Sequence, residues 1–320
     1  MLSSIPRLEK VCVAKLLIGM SMRRRGRPFS TVPRHTLAIT REMPTSFTNA
    51  LTKFSHGEKT IDLAKARRQK DEYLERLRRF VPTLCLPALH EHPDSVFVED
   101  TAVIVQNRAV VTNPGHPSRR GEVDTIKDVL IRLGLDVSDM RGVDPAALCD
   151  GGDVLYTGKD LFVGLSERTN EAAVNILSEG LGVTNTIAVP FEGNALHLKS
   201  IVTHMDSSTL IVPIGDLGDQ VLEAMDAISR GYSIVRLPNM LACNVVSVNG
   251  GILAQDAGCS ESRKILFSAA EERGLQLEFV SLSEAAKCDG ALTCCSLLLH
   301  IDDFTKSFFP AKTSDMPTSL

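Results

Sequence analysis

Four clusters of chemically reactive side chains are spread along the 320-residue chain. They are Asp94, Glu99 and Asp100; Asp150 and Asp153; His197; and Cys294 beside Cys295. Carboxylates pair with the N–H groups of a guanidinium ion in fork geometry, and attack on its sluggish carbon needs a soft nucleophile such as a thiolate. A neighbouring cation, either a protonated histidine or the substrate, would lower the pKa of the thiol. Together the clusters predict a site for a planar, cationic electrophile.

Other chemistries lack the spacing that they need. Gly151-Gly152 is not part of a GxGxxG order, and Gly158-Lys159 has neither the spacing nor the following Ser or Thr of a phosphate-binding loop. His90 and His92 alternate as metal ligands can, but no third ligand follows at a recognisable spacing. We therefore expect neither an organic cofactor nor a resident metal.

Composition narrows the class of ligand. Apolar residues make up 43% of the chain and charged residues 23%, which is typical of a globular protein. Aromatic side chains that could stack on bases are scarce, with 12 Phe, 3 Tyr and no Trp. Past residue 40 the chain has 27 basic and 38 acidic residues, and no apolar run reaches the roughly 18 residues of a membrane span. We expect a small cationic ligand, and neither nucleic acid nor membrane as a partner.

The first residues differ from the rest in charge. Residues 1–40 hold eight Lys or Arg and a single acid, Glu9, and residues 1–34 read as a basic extension that resembles a targeting presequence. Two alternatives are a disordered extension and a start assigned too early, with Met20 or Met22 as the true first residue. The eight cysteines form no C-x-x-C pair, so we expect reduced thiols in the cytoplasm, or in the mitochondrion if residues 1–34 are a presequence.

A hairpin, a helix and a returning strand recur about five times, at intervals of 44 to 56 residues. Hairpin turns are predicted at 106–107, 158–159, 206–208 and 249–250, and helix ends at Gly134, Gly180 and Gly274. HTLAIT (35–40) and TCCSLLLHI (293–301) are each half a hairpin, and their pairing would close a ring. We predict one α/β domain over residues 35–303, with a tail over 304–320, in which strand ends bring the reactive clusters to a central axis.

Ordered strings along the chain resemble the dimethylargininase family of the guanidino-group-modifying (pentein) superfamily. They are DSVFVED (94–100), PGHPSRRGEV (114–123), DGGDVLYTG with FVGLSERTN (150–170), LHLKS (196–200), ACNVV (242–246) and DGALTCCSLL (289–298). The resemblance extends from about residue 35 to residue 301. It implies a five-bladed α/β-propeller built from pseudo-fivefold ββαβ repeats.

The resemblance also implies roles for individual residues. Cys294 would attack the guanidinium carbon, expel the amine and form a covalent thiouronium. His197 would protonate the leaving amine and then activate water, one group acting first as acid and then as base. Asp150 would orient His197, a position that bacterial relatives fill with Glu.

Substrate-binding residues follow from the same strings. Asp94 and Asp100 would hold guanidinium nitrogens with Glu99 beside them, and Arg119 and Arg168 would grip the α-carboxylate. The main-chain carbonyl of residue 288 would meet the substrate amine. Two departures from the family pattern, a cysteine at position 288 and a loosely matching lid segment near Leu51, leave the preferred Nω-substituent open.

The implied activity is hydrolysis of Nω-methylated arginine, either asymmetric dimethylarginine or monomethylarginine, to citrulline and a methylamine. Such an activity would relieve inhibition of nitric oxide synthase. Zinc could inhibit the site by binding Cys294 and His197, because thiolate and imidazole are good zinc ligands. Two alternatives stay open: an arginine deiminase that releases ammonia from unsubstituted arginine, and a catalytically silent binding protein on the same fold.

Overall fold

The computed structural model describes residues 34–54 and 60–301. The predictions for the basic extension up to residue 33 and for the tail from residue 304 lie outside these residues.

The chain alternates short strands with helices. In order these are β1 (Leu37–Arg41), α1 (Leu63–Leu77), β2 (Thr83–Leu86), β3 (Ala102–Val105), β4 (Arg108–Val111), α2 (Val123–Arg132), β5 (Asp136–Asp139), α3 (Met140–Val143), β6 (Val154–Tyr156), β7 (Leu161–Leu165), α4 (Glu171–Leu181), β8 (Thr186–Pro190), β9 (Thr203–Asp206), β10 (Thr209–Pro213), α5 (Asp216–Ala224), β11 (Ser233–Leu237), β12 (Val245–Val248), β13 (Gly251–Gln255), α6 (Ser260–Glu272), β14 (Gln276–Val280), α7 (Ser283–Ala286) and β15 (Leu297–Leu299).

The strands form five three-stranded sheets, which are the blades of the propeller. Their orders are β15-β1-β2, β3-β4-β5, β6-β7-β8, β9-β10-β11 and β12-β13-β14. In each sheet the middle strand is antiparallel to the first strand and parallel to the third, and a helix makes the crossover that parallel strands require. The last strand pairs with the first, with Ala38 opposite Leu298. The ββαβ repeat and the closed ring are both confirmed.

Turn chemistry explains several of these boundaries. The β12–β13 hairpin turns at Asn249-Gly250, both with positive φ (51° and 83°), as a two-residue type I′ turn requires. The predicted helix end at Gly180 is wrong, because α4 continues to Leu181 and Gly182, with φ 67°, is its C-cap. Gly180 instead lies inside the helix, where an added Cβ would come 2.6 Å from Val110 Cγ2. A residue without a side chain is needed at this position because α4 packs closely on β4.

The core lies between neighbouring blades rather than at one centre. One cluster, for example, joins Val110 of β4, Val163 of β7 and Leu177 of α4, all fully buried. Both β10 and β13 are buried along their whole length, which is why their central residues, LIV in β10 and ILA in β13, are consecutively apolar rather than alternating. This packing holds the inner ends of the blades in fixed positions around the axis.

A short 3₁₀ turn comes shortly before the first strand of every blade. These five central turns are Val98–Thr101, Gly151–Asp153, Leu198–Ser200, Met240–Cys243 and Thr293–Cys295. The turn at 98–101 contacts those at 151–153 and 293–295, and the turn at 198–200 contacts those at 151–153 and 240–243. The repeat therefore brings segments about 50 residues apart in sequence together at the axis.

Two observations bear on the setting of the fold. Cys85, Cys149, Cys243, Cys259, Cys288, Cys294 and Cys295 are all free thiols. Within residues 34–54 and 60–301, no helix has the length and apolar character that crossing a bilayer requires.

Candidate active site

The central turns and the loops beside them enclose a small cavity of about 30 Å³, here called the front cavity. Eight of the nine predicted site residues line it, namely Asp94, Asp100, Arg119, Asp150, Arg168, His197, Cys288 and Cys294. These residues come from segments as far apart in sequence as 94 and 294. The fold therefore brings these eight residues together around one cavity.

A second, larger cavity of about 180 Å³, the rear cavity, is lined by the first strands of all five blades. The central turns divide the two cavities. Asp100 lines the front cavity and Glu99 lines the rear one. Likewise, Cys294 lines the front cavity and Thr293 lines the rear one. Neighbouring residues of a 3₁₀ turn point about 120° apart, so one turn serves both cavities with adjacent side chains.

Glu99 is consequently the one predicted site residue that the structure does not bring into the front cavity. Its carboxylate accepts from Lys199 Nζ at 2.6 Å and from Thr293 Oγ1 at 3.0 Å. Burial and the charge of Asp100 raise the pKa of Glu99, while Lys199 opposes that shift. The expectation that Glu99 sits beside the substrate guanidinium is corrected: its side chain braces the turns behind the site.

Cys294 has only 9% of its surface exposed, at the junction of the front cavity with the turn 293–295. Burial, together with the negative charges of Glu99 and Asp100, raises the pKa of its thiol well above the ordinary value. In the free protein, burial and these acids therefore favour the neutral thiol over the thiolate.

His197 is oriented from one side by Asp150. Its Nε2 lies 2.9 Å from Asp150 Oδ2, and Asp150 Oδ1 accepts from the Gly115 N–H at 2.9 Å. Burial opposes charge on the imidazole, but Asp100, Asp150 and Asp153 outweigh it and raise the pKa of His197 to about 9. At neutral pH the residue is an imidazolium, which is the form that can protonate a leaving amine.

The imidazole can reach this position because Gly152 lies against it. A Cβ at Gly152 would come 2.4 Å from His197 Nδ1 and 2.9 Å from Asp100 Oδ1. The Gly152 N–H also donates to Asp100 Oδ1 at 2.9 Å. Gly152 is thus a place where two functional side chains approach the main chain closely, rather than part of a cofactor loop.

Arg119 and Asp100 form a buried ion pair that continues to Glu122. Arg119 Nη1 donates to Asp100 Oδ2, and its Nε and Nη2 donate to the two Glu122 oxygens at 3.1 and 2.7 Å. The main-chain oxygen of Phe97 accepts from Nη2 at 3.0 Å. This pairing makes Arg119 a brace behind Asp100, and its expected contact with the substrate α-carboxylate stays a prediction.

Arg168 differs from Arg119 in having unused capacity. Its Nη1 is buried and has no partner among the described residues, although the residue lines the front cavity. A buried donor without an acceptor is costly, and an anionic ligand group would satisfy it. Arg168 therefore stays the candidate for the substrate carboxylate.

The segment around Leu51 closes over this region. The Leu51 N–H lies 3.1 and 3.3 Å from the two Asp94 oxygens, and the N–H groups of Lys53 and Phe54 donate to Asp289 Oδ2 at 2.7 and 3.2 Å. Burial raises the pKa of Asp94, which Arg119 opposes. Asp94 thus faces both the cavity and this segment.

Cys288 also lines the front cavity. Its Sγ donates to the Ala285 carbonyl at 3.1 Å, and burial raises the pKa of this thiol. The thiol is therefore neutral, and the role expected of the 288 carbonyl stays a prediction.

Sequence reasoning missed residues that hold the predicted ones. They are Glu122 behind Arg119, Lys199 and Thr293 around Glu99, and Asn244 against Thr293. Each lies inside or beside a string that already pointed to the family. The spacing of Glu122 three residues after Arg119 is a signal that could have identified that pair.

A metal site needs several His, Cys, Asp or Glu side chains whose ligand atoms lie close together. Within the part of the chain that the structure describes, one group of three or more such side chains has its ligand atoms within 4.8 Å of one another: Asp100, Asp150 and His197. Cys294 is not a member of this group.

A thiol, an imidazolium held by a carboxylate, and buried acids facing one cavity can bind a guanidinium ion and attack its carbon. On a five-bladed α/β-propeller these features define a pentein-type guanidine-modifying protein. Comparisons with known proteins agree, since the family model described as N,N dimethylarginine dimethylhydrolase, eukaryotic, matches residues 35–252. The chain belongs to this dimethylargininase family.

Individual relatives give the same result. An N(G),N(G)-dimethylarginine dimethylaminohydrolase of Streptomyces coelicolor is 34% identical over 246 residues, covering 75% of this chain and 88% of the relative. The Pseudomonas aeruginosa enzyme, solved as a cysteine-to-serine variant complexed with citrulline, superposes with a TM-score of 0.72 at 27% identity, covering 83% and 99% of the two chains. A histidine-to-glycine dimethylarginine dimethylaminohydrolase, solved as an adduct with S-methyl-L-thiocitrulline, has the same TM-score and identity and covers 82% and 99%.

Proposed function

We propose that the protein hydrolyses Nω-methylated arginine to citrulline and dimethylamine or methylamine. The observation that carries the proposal is the convergence of Cys294, the His197–Asp150 pair and Asp100 on one small, buried cavity. Family membership supports it, as do the citrulline complex and the thiocitrulline adduct of the two superposed enzymes.

Binding begins with charge. Asp100, whose pKa is lowered because Arg119 and His197 outweigh its burial, is an anion that can pair with the substrate guanidinium, with Asp94 as its neighbour. Arg168 takes the α-carboxylate at the other end of the substrate. The guanidinium then supplies the positive charge that the Cys294 thiol lacks in the free protein, so the thiol loses its proton to solvent as the substrate binds.

In the first half of the reaction the thiolate forms a C–S bond to the guanidinium carbon. The C–N bond to the methylated nitrogen breaks, and the His197 imidazolium protonates the departing amine. The products are a cationic thiouronium on Cys294 and a neutral imidazole. A pKa of about 9 keeps His197 in the acid form that this step uses.

In the second half the neutral imidazole takes a proton from water, and the resulting hydroxide attacks the thiouronium carbon. The C–S bond breaks, the second proton of the water returns to sulfur, and citrulline is released. The site is left as thiol and imidazolium, the resting state that burial and the surrounding acids favour. Asp150 keeps Nε2 of the same ring oriented through both steps.

The test is citrulline release by the purified protein from asymmetric dimethylarginine, with arginine and a Cys294→Ser variant in parallel. Release from the methylated substrate alone, abolished in the variant, supports the proposal. Release from arginine would assign the protein to the deiminases instead. No release from either substrate, with the fold intact, would favour the silent binding protein.

We also propose that Zn²⁺ inhibits the protein by binding Cys294 and His197. Both residues line the front cavity, and their sulfur and nitrogen donors suit zinc, with the carboxylates of Asp100 and Asp150 close to the imidazole. Calorimetry should detect one bound zinc in the wild type and a large loss of affinity in Cys294→Ser. Equal affinity in the two proteins would place the zinc elsewhere.

For location, we propose the cytoplasm, or the mitochondrion if residues 1–34 direct import. Fractionation of cells that express the full chain or a chain starting at Met22 separates the two. In either compartment, consumption of methylated arginine would relieve inhibition of nitric oxide synthase, which is measurable as nitrite in cells that express both proteins.

A further inference from the structure

Asn244 is a buried amide directly before β12, and two of its three side-chain hydrogen bonds are with Thr293, in the turn that carries Cys294. Its Oδ1 accepts from the Thr293 N–H at 3.0 Å, and its Nδ2 donates to Thr293 Oγ1 at 3.1 Å. Nδ2 also donates to the Lys199 carbonyl at 3.0 Å. The reversed amide would face the Thr293 N–H with its own N–H, so these contacts allow one orientation only.

The contacts of Asn244 are part of a closed ring of four residues. The Thr293 hydroxyl donates to Glu99 Oε2, and Lys199 Nζ donates to Glu99 Oε1. The main-chain carbonyl of Lys199 in turn accepts a hydrogen bond from Asn244 Nδ2. The members come from four different blades. We call these four residues, Glu99, Lys199, Asn244 and Thr293, the brace ring.

The brace ring is adjacent in sequence to two groups of the proposed reaction. Thr293 precedes the nucleophile Cys294, and Glu99 precedes the guanidinium-binding Asp100. Because both pairs lie on tight 3₁₀ turns, a shift of Thr293 relative to Glu99 changes the distance between the sulfur and a bound guanidinium. A misplacement of about 1 Å at a reacting centre can cost roughly 100-fold in rate.

We propose that Asn244 is a positioning residue for the nucleophile, because it fixes the Cys294 turn at a set distance from the Asp100 turn through the brace ring. This inference rests on the proposed function. Asn244 does not line the front cavity, so it acts through Thr293 and not by touching substrate. Its loss should lower kcat and leave KM nearly unchanged, since Asp94, Asp100 and Arg168 keep their places.

The test compares Asn244→Ala with Asn249→Ala. Asn249 lies at the other end of β12 and also makes three hydrogen bonds, with the N–H and carbonyl of His35 and with the Phe80 carbonyl. We expect Asn244→Ala to lower kcat by about 100-fold with KM within about threefold. Asn249→Ala should lower Tm and keep wild-type kcat. Equal kcat in the two variants, or a raised KM with unchanged kcat in Asn244→Ala, would overturn the proposal.

A second pair of variants separates positioning from general damage. Thr293→Ser keeps the hydroxyl and should retain nearly wild-type kcat. Thr293→Val removes the hydroxyl and should lower kcat as Asn244→Ala does. The alkylation rate of Cys294 by an amidine-bearing electrophile is measured in all four variants. That rate should fall in Asn244→Ala and Thr293→Val alone. Because it reports on positioning even if the protein releases no citrulline, it distinguishes failure of this inference from failure of the proposed function. Unchanged alkylation in Asn244→Ala would contradict the proposal.

Discussion

The front and rear cavities lie on either side of the central turns at 98–101 and 293–295, and they differ in size and in chemistry. The rear cavity is larger, about 180 Å³ against about 30 Å³, and valines and leucines of the inner strands form much of its wall. His35 at the rear is held neutral, since burial and the nearby His204 and His300 lower its pKa to about 4. The front cavity instead holds an imidazolium, a shielded thiol and several carboxylates.

The difference shows that volume is a poor guide to the reactive centre of this fold. Opposed charges with pKa values moved in different directions mark the front cavity, as is common at catalytic sites. Residues adjacent in one turn face the two cavities, so the backbone alone does not decide which cavity reacts. The side chains at Asp100, His197 and Cys294 decide it.

The largest expected effect is at the nucleophile of the front cavity. Cys294→Ser should lower citrulline release by at least roughly 1,000-fold, because a hydroxyl is far less acidic than a thiol and this site already disfavours the anion. Cys295→Ser is the matched control, since that thiol is buried in the same turn but does not line the front cavity. Substantial turnover by Cys294→Ser would show that Cys294 is not the nucleophile.

The next effect in size concerns the acid of the front cavity. Asp150→Asn should lower kcat by roughly 100- to 1,000-fold, because the carboxylate that orients His197 and favours its charge is lost. The pKa of His197 is raised to about 9, so wild-type amine release should persist at neutral pH and fall as the pH rises through that value. In Asp150→Asn the same fall should begin at a lower pH.

The pH dependence of pre-steady-state amine release measures this shift. Asp160→Asn serves as the control, because Asp160 is a buried carboxylate bonded to Tyr232, outside the front cavity. An unchanged basic limb in Asp150→Asn would mean that His197 is not the acid.

Two arginines that line the front cavity should respond differently. Arg168→Ala should raise KM about 10- to 100-fold with little change in kcat, because its free donor serves the substrate carboxylate. Arg119→Ala should instead reduce the free energy of unfolding by about 3 to 5 kcal/mol, because it leaves Asp100 and Glu122 as buried, unpaired charges. Steady-state kinetics and urea unfolding separate the two outcomes. A raised KM with unchanged kcat and unchanged stability in Arg119→Ala would instead show that Arg119 binds the substrate carboxylate.

Much of this arrangement could be predicted from the sequence. Periodic hairpin and helix signals identified the repeat, and the half hairpins at 35–40 and 293–301 identified the ring closure. Once the ring closes, residues before the first strands of the blades must meet, which brings Asp100, Asp150, His197 and Cys294 together.

What the sequence could not provide is direction and burial. Glu99 and Asp100 look alike in DSVFVED, and only the rotation of a 3₁₀ turn sends one to the rear cavity. The raised pKa of Cys294 depends on how deeply the folded chain buries it and on Glu99 and Asp100, which come from a distant segment. Likewise the use of Arg119 as a brace depends on Glu122, whose position is set by the start of α2.

The smallest expected effect sharpens the contrast between the cavities. Val246→Ile adds one methylene to the wall of the rear cavity, which has room for it, so kcat and KM should stay within about twofold and the free energy of unfolding within about 1 kcal/mol. Gly152→Ala also adds one carbon, but on the front side its Cβ would come 2.4 Å from His197 Nδ1 and displace the imidazole. Activity should fall at least roughly 100-fold there. If Val246→Ile impaired turnover as much as Gly152→Ala, the rear cavity would take part in the reaction, and the conclusion that only the front cavity is reactive would be wrong.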